Sequence, residues 1–367
     1  MNKWLSDWVK QNYPDVKGDL FSCFMVRNSD LGNDHAQMGF MTPYVWMFIS
    51  TYEKLRKFVI EKNTITSLIQ LEYSGFAGAT VPICTFTLQK GCVHGYQGSY
   101  IRLSDFVGAD QQAPRALEAL ANSDCGWKYK ASGDKFNFIP GNALVYWASD
   151  AAIKAFTSGQ TIESIGQPRQ GLATGKNDLF VRLWWECALG DSSFSCSDQE
   201  ECKLSGKKWF PYNKGGEYRK WYGNNEWVIN WKNDGEDVRA FSGSVIRNPQ
   251  CYFKPSITWS KISSGSIAFR YKPKGHVFDV AGTSIFAPEK ELKYLQGACN
   301  SSVILKIAGM LSPTLNFEVG QIATYPIVVD VERESEICEL VDVNRSLSKS
   351  DWDSSEYSWD FKRHPLA

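Results

Sequence analysis

The first ninety residues alternate between helical and strand-like spacing of apolar positions. The segment 19–31 carries apolar residues at helical spacing, and the apolar run 37–42 ends before a proline, as strands often do. Residues 50–63 predict a second helix, because two candidate N-cap residues precede inward-facing apolar positions. Two β-rich runs follow at 65–73 and 80–88. The pattern therefore predicts the order α-β-α-β-β.

The pattern becomes less regular after residue 90. Residues 106–160 are predicted to connect two domains, and 161–329 carries short β-prone pieces between turn residues. We therefore predict a partial α/β domain at 1–105 and a mixed, mostly β domain at 161–329. The remaining segment, 330–367, is rich in acidic residues.

Composition describes a folded chain without an overall charge. Of 367 residues, 43% are hydrophobic and 22% are charged, which argues against disorder. Lys and Arg together number 40, as do Asp and Glu, so only local patches give a reason to bind a polyanion. No apolar run approaches the roughly 18 residues of a membrane span, and Asp7 lies where a signal peptide is apolar. The sequence therefore predicts a cytoplasmic protein without a membrane partner.

The cysteines and histidines form no metal-site pattern. The chain has ten cysteines and four histidines, and it contains no C-x2-C pair. Only His94 lies close to a cysteine, Cys92. We therefore expect reduced, mostly buried thiols and no metal site.

Four motifs follow one another in the first ninety residues: DLFSCF, GFMTPYVWM, LIQLEYSGF and ATVPICTFTL. In order and approximate spacing they resemble the later motifs of methyltransferases that modify the amino group of adenine in DNA. Further along come RQGLATGKNDLFVRLWWE, KKWFPYNKGGEYRKWYGNNEWVINW, SITWSKISSGSIAFRYKPKGHVFDVAGTSIF and SEYSWDFKRHPL. These resemble the target-recognition half of the PglX-like methyltransferases of BREX phage-resistance systems, and of related fused restriction-modification enzymes. The resemblance implies a partial Rossmann-like methyltransferase domain, with its last three strands, and a target-recognition domain.

The resemblance also implies roles for individual residues. In that family the aromatic residue that ends the D-L-F-x-x-F helix contacts the adenine of S-adenosylmethionine, so Phe24 is a candidate cofactor contact. Thr42 and Pro43, at the end of the next strand, are candidates beside the same pocket. An aromatic residue before the last hairpin stacks on the flipped target base, and Phe76 holds that place. Such stacking offsets part of the unstacking free energy. An ordinary core position is the alternative for both phenylalanines.

The residues that perform the reaction in that family are not found in this sequence. There, an N-P-P-Y or D-P-P-Y motif accepts the hydrogens of the adenine amine. This chain has no Pro-Pro dipeptide, and its single Asn-Pro, Asn248-Pro249, lies in the second half. A G-x-G cofactor loop after an N-terminal strand, and the acidic residue that follows it, are also missing. We therefore assign no catalytic residue.

This absence carries expectations about the isolated chain. It should not methylate, and S-adenosylmethionine is expected as a cofactor only if a missing N-terminal half is supplied, in the same polypeptide or by a second one. The strand at 37–42 is then expected to keep an unpaired edge with apolar side chains, which is a surface for aggregation or for a partner.

Basic and aromatic residues alternate in the second domain. Between 203 and 220 six basic residues stand against one acidic residue, Glu217, with several aromatic residues among them. Such clusters suit phosphate contacts, and asparagine side chains suit base edges. The candidate DNA contacts are Arg169, Lys176, Asn177, Lys214, Arg219 and Lys220. The alternative is that the aromatic residues are core and the lysines are merely solvated.

Two other patterns are excluded. GLATGK (171–176) has three residues instead of four between its first glycine and Gly-Lys, and Asn177 follows instead of Ser or Thr, so it is not a nucleotide-binding loop of the Walker type. The acidic residues between 191 and 203 lie in a Ser-rich loop and do not indicate a nuclease site.

The sequence thus predicts a portion of a site-specific adenine methyltransferase that acts on double-stranded DNA in phage defence. Two alternatives stay open. The first is a non-catalytic DNA-specificity subunit that works with a separate catalytic chain. The second is a non-enzymatic module whose aromatic surface stacks on sugars.

Overall fold

The structure is a computed structural model that describes residues 1–76, 78, 81–263, 266–311, 316–364 and 366. Contacts within the chain divide it into two compact units, Met1–Thr157 and Ser158–Ala367. The domain limits drawn from the sequence stay predictions. In the described part of the chain, no helix combines the length and the apolar composition that a membrane crossing requires.

The first unit is built around one sheet. Its elements in chain order are α1 (Lys3–Asn12), α2 (Leu20–Leu31), β1 (Gln37–Pro43), α3 (Glu53–Lys62), β2 (Asn63–Gln70), β3 (Ile83–Lys90), β4 (Gln97–Arg102), α4 (Ala109–Ala121), β5 (Lys128–Ser132) and α5 (Asp150–Ser158). The sheet order is β1-β3-β2-β4-β5. β3 is antiparallel to both β1 and β2, β4 is parallel to β2, and β5 is antiparallel to β4.

The sheet contains the three strands predicted from the sequence and two more. β1, β2 and β3 correspond to the runs at 37–42, 65–73 and 80–88, although Thr80 lies outside the described residues. β4 and β5 add to the sheet beside β2, and β5 comes from the predicted connector. The sequence did not predict β5 because its pairing with β4 joins segments whose own apolar patterns are short. Within the described residues, β1 pairs with β3 alone, so its other edge has no strand partner.

Helix α3 and the turn before it cover the sheet of the first unit. Leu55 and Val59 on α3 are fully buried, and Trp46 in the preceding turn contacts Phe86 of β3 with ring centroids 5.1 Å apart. Tyr100 of β4 is also fully buried. These apolar contacts pack α3 and the segment before it against the sheet, whose strand β1 ends at the predicted site residues Thr42 and Pro43.

The second unit combines short strands with helices. Its elements are β6 (Gln160–Thr161), α6 (Ile162–Ile165), β7 (Gln167–Arg169), α7 (Asn177–Phe180), β8 (Val181–Leu183), α8 (Gln199–Leu204), β9 (Trp209–Asn213), β10 (Trp227–Asn230), α9 (Lys232–Ala240), β11 (Ser256–Thr258), β12 (Arg270–Lys272), β13 (Val277–Phe278), β14 (Ser284–Phe286), α10 (Glu289–Cys299), α11 (Ser302–Leu311), α12 (Val319–Ala323), β15 (Pro326–Ile327) and α13 (Glu334–Asp353). The described strands form sheets in the orders β13-β9-β10-β8, β12-β11-β14-β7 and β15-β6.

The second unit is mixed instead of mostly β. Its strands are two to five residues long, whereas α10 and α11, within the predicted mostly β domain, span 11 and 10 residues. The sequence pattern overestimated the share of strand, because Trp and Tyr favour strands statistically but here fill a core between short strands and helices. Trp231 and Trp259, for example, are fully buried. The acidic C-terminal segment also belongs to this unit, since α13 contacts α10 along its length.

Candidate functional site

Phe24 lies on the exposed side of α2. Asp19 caps this helix by accepting a hydrogen bond from the backbone nitrogen of Leu20 (2.6 Å), and the helix buries Cys23 and Met25 on its other side. Phe24 itself is 61% exposed, which excludes the alternative of an ordinary core residue within this unit. Its ring is therefore available to a ligand or to another part of a larger protein. The predicted cofactor role stays a prediction.

Thr42 and Pro43 end β1 with their side chains in different surroundings. Thr42 is buried, and its hydroxyl lies 3.9 Å from the sulfur of Cys84 on β3. Pro43 is only half-buried, and the chain turns directly after it, where the backbone nitrogen of Tyr44 donates a hydrogen bond to the Pro82 carbonyl (2.8 Å). Of the two candidates, Pro43 thus has the more accessible surface.

Two of the predicted sites lie close together in the first unit. Burial raises the pKa of Tyr44, and the nearby Glu72 and Tyr73 raise this pKa further. Both segments also meet β3 at the same residue, because Pro43 pairs with Ile83 and the backbone nitrogen of Leu71 donates a hydrogen bond to the Ile83 carbonyl (3.0 Å). The structure therefore brings the turn after β1 next to the loop that leads to Phe76.

Phe76 is 47% exposed at the end of a closed loop. The backbone nitrogen of Gly75 donates to the Glu72 carbonyl (3.0 Å), and the backbone nitrogen of Ser74 donates to the Glu72 carboxylate (2.9 Å). These bonds fold residues 72–75 into a turn, which leaves the Phe76 ring outside the core. An aromatic ring presented in this way suits stacking on a planar partner.

Gln112, which is buried on α4, holds this turn in place. Its side-chain oxygen accepts a hydrogen bond from the backbone nitrogen of Glu72 (3.1 Å), and its amide nitrogen donates to the Phe106 carbonyl (2.6 Å). Gly75 lies so close that a Cβ there would be 2.9 Å from the Gln112 amide carbon. Sequence reasoning missed Gln112, because a polar residue in a segment predicted only as a connector gives no signal until its fold neighbours are known.

Three of the predicted DNA contacts are engaged within the second unit. Arg219 forms an ion pair with Asp351 (2.7 Å), and the Lys220 ammonium donates to the Asn300 carbonyl (3.0 Å). The Lys214 ammonium lies 4.6 Å from the ring centroid of Trp227. These contacts hold the three side chains against their own unit. Their DNA-binding role stays a prediction. The observed contacts of Arg219 and Lys220 attach the segment between β9 and β10 to the rest of the second unit.

Lys176 and Asn177 are both exposed at the end of a tightly held loop. Gly175 has a positive φ of 71°, which glycine adopts without strain. The Ser244 hydroxyl donates to the Thr174 carbonyl (2.7 Å), and the Thr174 hydroxyl donates to the Asn177 side-chain oxygen (2.7 Å). The loop therefore presents Lys176 outward in a defined position.

Arg169 is half-buried on β7, and the thiols are largely enclosed. The Arg169 guanidinium donates to the Pro168 carbonyl (3.1 Å) beside it. Six of the ten cysteines are buried and the others are half-buried. Among the described residues, no group of three or more His, Cys, Asp or Glu side chains is arranged to hold a metal ion.

The residues of this chain fit only part of a binding site for S-adenosylmethionine. Phe24 offers an exposed aromatic face of the kind that contacts a purine ring. The sequence contains neither the glycine loop nor the acidic residue that would meet the other parts of the cofactor. Binding of the cofactor by this chain therefore stays a prediction.

Comparison of the sequence with known proteins identifies the family of this chain. Residues 1–76 match the family described as Eco57I restriction-modification methylase. The adenine-specific methyltransferase PglX of Lacticaseibacillus casei (strain Zhang) is 35% identical over 382 residues, an alignment that covers 100% of this chain and 31% of PglX. The adenine-specific methyltransferase BrxX of Escherichia coli O9:H4 (strain HS) is 31% identical, over 100% of this chain and 29% of BrxX. The chain is PglX-like.

Solved structures share the fold of the PglX-like chain at low sequence identity. The type IIL restriction-modification enzyme MmeI, solved in complex with DNA, matches with a TM-score of 0.59 at 10% identity, over 100% of this chain and 50% of MmeI. A nuclease-deletion mutant of the type ISP restriction-modification enzyme LlaGI, solved with a DNA substrate mimic, matches with a TM-score of 0.51 at 12% identity, over 88% of this chain and 30% of that one. The PglX-like chain thus has a fold found in restriction-modification enzymes, and it spans about a third of the length of its curated relatives.

Proposed function

We propose that the PglX-like chain is part of a site-specific adenine methyltransferase that uses S-adenosylmethionine and acts on double-stranded DNA. By the resemblance to BREX proteins, the whole enzyme would serve in phage defence. The observation that carries this proposal is the similarity along the full chain to two adenine-specific methyltransferases. The fold shared with restriction-modification enzymes is consistent with it.

In this proposal the first unit supplies one side of the cofactor and target-base sites. The exposed ring of Phe24 contacts the adenine of the cofactor, and Pro43 borders the same pocket. When bound, S-adenosylmethionine supplies the methyl group. Phe76 stacks on the flipped adenine, and one such stack contributes about 1–3 kcal/mol. The turn at Glu72 and the side chain of Gln112 hold Phe76 in position.

The catalytic groups come from a region outside this sequence, either in the same polypeptide or in a second one. The free edge of β1 and the exposed side chains beside it support this part of the proposal. Met41 on β1 is 55% exposed and Phe24 on α2 is 61% exposed, so apolar side chains are accessible on both elements. A strand that pairs with β1 would remove the open edge.

The second unit reads the DNA target in this proposal. Lys176 and Asn177 are its most accessible predicted contacts, since both are exposed on a loop that hydrogen bonds hold rigidly. A rigid loop loses little conformational entropy when it binds, so more of its interaction energy appears as affinity.

The sugar-binding alternative has little support in the structure. Of the tryptophans between 184 and 259, only Trp185 is among the exposed large apolar residues, at 43%. Trp231 and Trp259 are fully buried, and Trp184, Trp209, Trp221 and Trp227 are half-buried. The alternative of a specificity subunit keeps the same DNA contacts and differs only in where the catalytic groups reside.

A titration of labelled duplex DNA with the purified chain tests the proposal. Because phosphate contacts release counterions, the affinity should fall steeply with salt, with a log–log slope of about −0.9 per contacted phosphate. A matched titration with a soluble glycan series serves as the comparison. Binding to glycans but not to duplex, or duplex binding that salt leaves unchanged, would contradict the proposal.

A further inference from the structure

The loop that joins β9 to β10 has an unusual backbone. Gly215, Gly216 and Gly223 have positive φ angles of 85°, 121° and 120°, and so do the non-glycine residues Trp221 (71°) and Asn224 (54°). A bulky residue such as tryptophan adopts this conformation only when surrounding contacts impose it. We call residues 215–225 the β9–β10 loop.

The peptide groups of the β9–β10 loop are held by groups from the rest of the second unit and from the loop itself. Donors come from β12, from α10, from α13 and from the segment around Ser260. The loop carbonyls that accept these hydrogen bonds are those of Gly216, Glu217, Arg219, Lys220, Trp221, Tyr222, Gly223 and Asn224. A loop held at so many successive peptides has essentially one conformation available.

Two fully buried cations on β12 provide the central contacts. The Lys272 ammonium donates to the carbonyls of Gly223 (2.9 Å) and Asn224 (2.7 Å) and to the Asn225 side chain, which uses its three hydrogens. Arg270 donates to the Glu217 carbonyl (3.4 Å) and to the Ser260 hydroxyl (3.0 Å). Burial disfavours both charges, since it lowers the pKa of Lys272 well below its usual value and that of Arg270 to about 10, and the hydrogen bonds of the two side chains offset part of this desolvation penalty.

The side chains of the β9–β10 loop divide into anchored and free ones. Arg219 and Lys220 are bound to Asp351 and to the Asn300 carbonyl. Glu217 and Tyr218, at the tip, are exposed, and Tyr218 is 55% accessible. The loop therefore keeps its cations close to the unit and presents a carboxylate and a phenol at its most accessible point.

We propose that Glu217 and Tyr218 are base-reading residues that determine target specificity, and that Lys272 and Arg270 are the positioning residues that hold them at the loop tip. This proposal rests on the proposed DNA-binding function. Phosphates repel a carboxylate, so an exposed Glu217 in an otherwise basic loop suits contact with a base edge instead of the backbone. A carboxylate accepts a hydrogen bond from an exocyclic amino group, such as that of cytosine in the major groove. The recognised ligand is thus a base pair that offers an amino group there.

Selection from a randomised duplex library tests this proposal. The unmodified chain, Glu217→Ala, Tyr218→Ala and the control Glu163→Ala are each used to enrich duplexes at one salt concentration. Glu163 is an exposed carboxylate on α6 of the same unit. The unmodified chain and the control should enrich the same motif. Glu217→Ala and Tyr218→Ala should each lose preference at one or two base pairs, by about tenfold or more, while their affinity for a random duplex does not fall.

Lys272→Met tests the positioning role separately. It removes three hydrogen bonds to the β9–β10 loop and leaves Glu217 and Tyr218 unchanged. We expect Lys272→Met to lose preference at the same base pairs as Glu217→Ala. The salt dependence of its binding to random duplex should be unchanged. A general loss of stability would not remove sequence preference while leaving this salt dependence intact. If Lys272→Met does not fold, the two tip variants still decide whether Glu217 and Tyr218 read bases, because neither variant removes a hydrogen bond of Lys272.

Three outcomes separate this proposal from the proposed function. The reading role of the loop tip is overturned if both tip variants enrich the unchanged motif, or if they bind random duplex more tightly with the motif intact. Neither result affects the proposed DNA binding. A Lys272→Met variant that folds and keeps the motif overturns the positioning role. No duplex binding by the unmodified chain overturns the proposed function itself, and this proposal with it.

Discussion

His276 lies in the interior of the second unit, where its ring is kept neutral. Burial lowers its pKa to about 3, and the positive charge of Lys272 acts in the same direction. Its Nδ1 faces the Pro273 carbonyl at 3.2 Å, so this nitrogen carries the hydrogen and donates. In the unfolded chain the pKa returns to its ordinary value of about 6.5. Between these two pKa values the unfolded chain binds the additional proton.

The pH dependence of stability follows from this difference in the pKa of His276. Stability from the neutral ring is fully present above pH 6.5 and is lost as the pH falls towards 3, by at most about 1.4 kcal/mol per pH unit. We expect the melting temperature of the unmodified chain to fall more between pH 7 and pH 4 than that of His276→Phe, whose ring does not titrate. Parallel losses in both proteins would exclude His276 as a source of acid sensitivity. The comparison uses the slope with pH, so a lower overall stability of the variant does not affect it.

Lys176 is the predicted phosphate contact that the fold leaves most available. Its side chain is exposed, whereas Arg219 is bound to Asp351. Lys176→Ala should weaken binding to duplexes of any sequence and reduce the steepness of the salt dependence by about 0.9. Lys232→Ala, which removes another exposed lysine of the same unit, is the matched control. Equal salt slopes for both variants would argue that Lys176 does not meet a phosphate.

At the scale of elements, replacement of glycine by alanine is expected to change stability in opposite directions at two positions. Gly171 leads into the loop before α7, and a Cβ at this position would lie 2.7 Å from the Asp279 carbonyl oxygen and closer still to the Phe278 carbonyl. Because backbone atoms surround the site, Gly171→Ala should displace the loop and destabilise the unit by about 2 kcal/mol or more. Gly309 is exposed inside α11, and its Cβ would meet no atom within 4 Å. Gly309→Ala should stabilise the protein by about 0.5–1 kcal/mol.

Chemical denaturation of the two alanine variants measures both effects. The sign of the change is the decisive result, since a helix propensity effect and a backbone clash differ in direction. A mild effect of Gly171→Ala would mean that the loop moves without loss of packing. In that case, the fixed presentation of Lys176 that we derive from this loop would be wrong.

The C-terminal helix is tied to the second unit by Arg345. This residue of α13 donates to Gln296 (2.6 Å) and Glu289 (2.7 Å) of α10, and its guanidinium lies 3.8 Å from the ring centroid of Tyr271. Arg345→Met keeps the length of the side chain but removes these bonds, and should lower the free energy of unfolding by about 2 kcal/mol. Arg333→Met, at the exposed start of the same helix, removes a surface ion pair with Glu336 and should change stability little. Similar losses in both variants would contradict the anchoring role of Arg345.

At the scale of the whole molecule, the first prediction concerns activity. The purified chain should transfer no methyl group from labelled S-adenosylmethionine to DNA, because its sequence has no motif to hold the adenine amine. The assay is repeated after addition of a protein that carries the part of PglX outside the matched segment. Transfer that requires both chains would support the proposed division of the enzyme. Transfer by the chain alone would refute its inactivity.

The order of elements in the first unit was largely predictable from the sequence. The apolar spacing predicted α2, β1, α3, β2 and β3, and the structure contains all five. Local patterns suffice there, because α2, β1, α3 and β3 each turn one face inward and so repeat at the period of their own element, whereas β2 is a continuous β-prone run. The family was predictable from the same residues, since the motifs keep their order, and the relatives confirm it.

Tertiary structure decided which predicted residues are free to act and which hold the fold. Phe24, Phe76 and Lys176 remain exposed, whereas Arg219 and Lys220 contact their own unit. The sequence alone could not distinguish these cases, because the partners Asp351 and Asn300 lie far along the chain. The same holds for the buried Lys272, whose polar side chain predicts exposure until the carbonyls that surround it are known. A local sequence pattern indicates which face of an element is buried. The groups that form hydrogen bonds and ion pairs with a charged side chain are distant in the sequence and come together only when the chain folds.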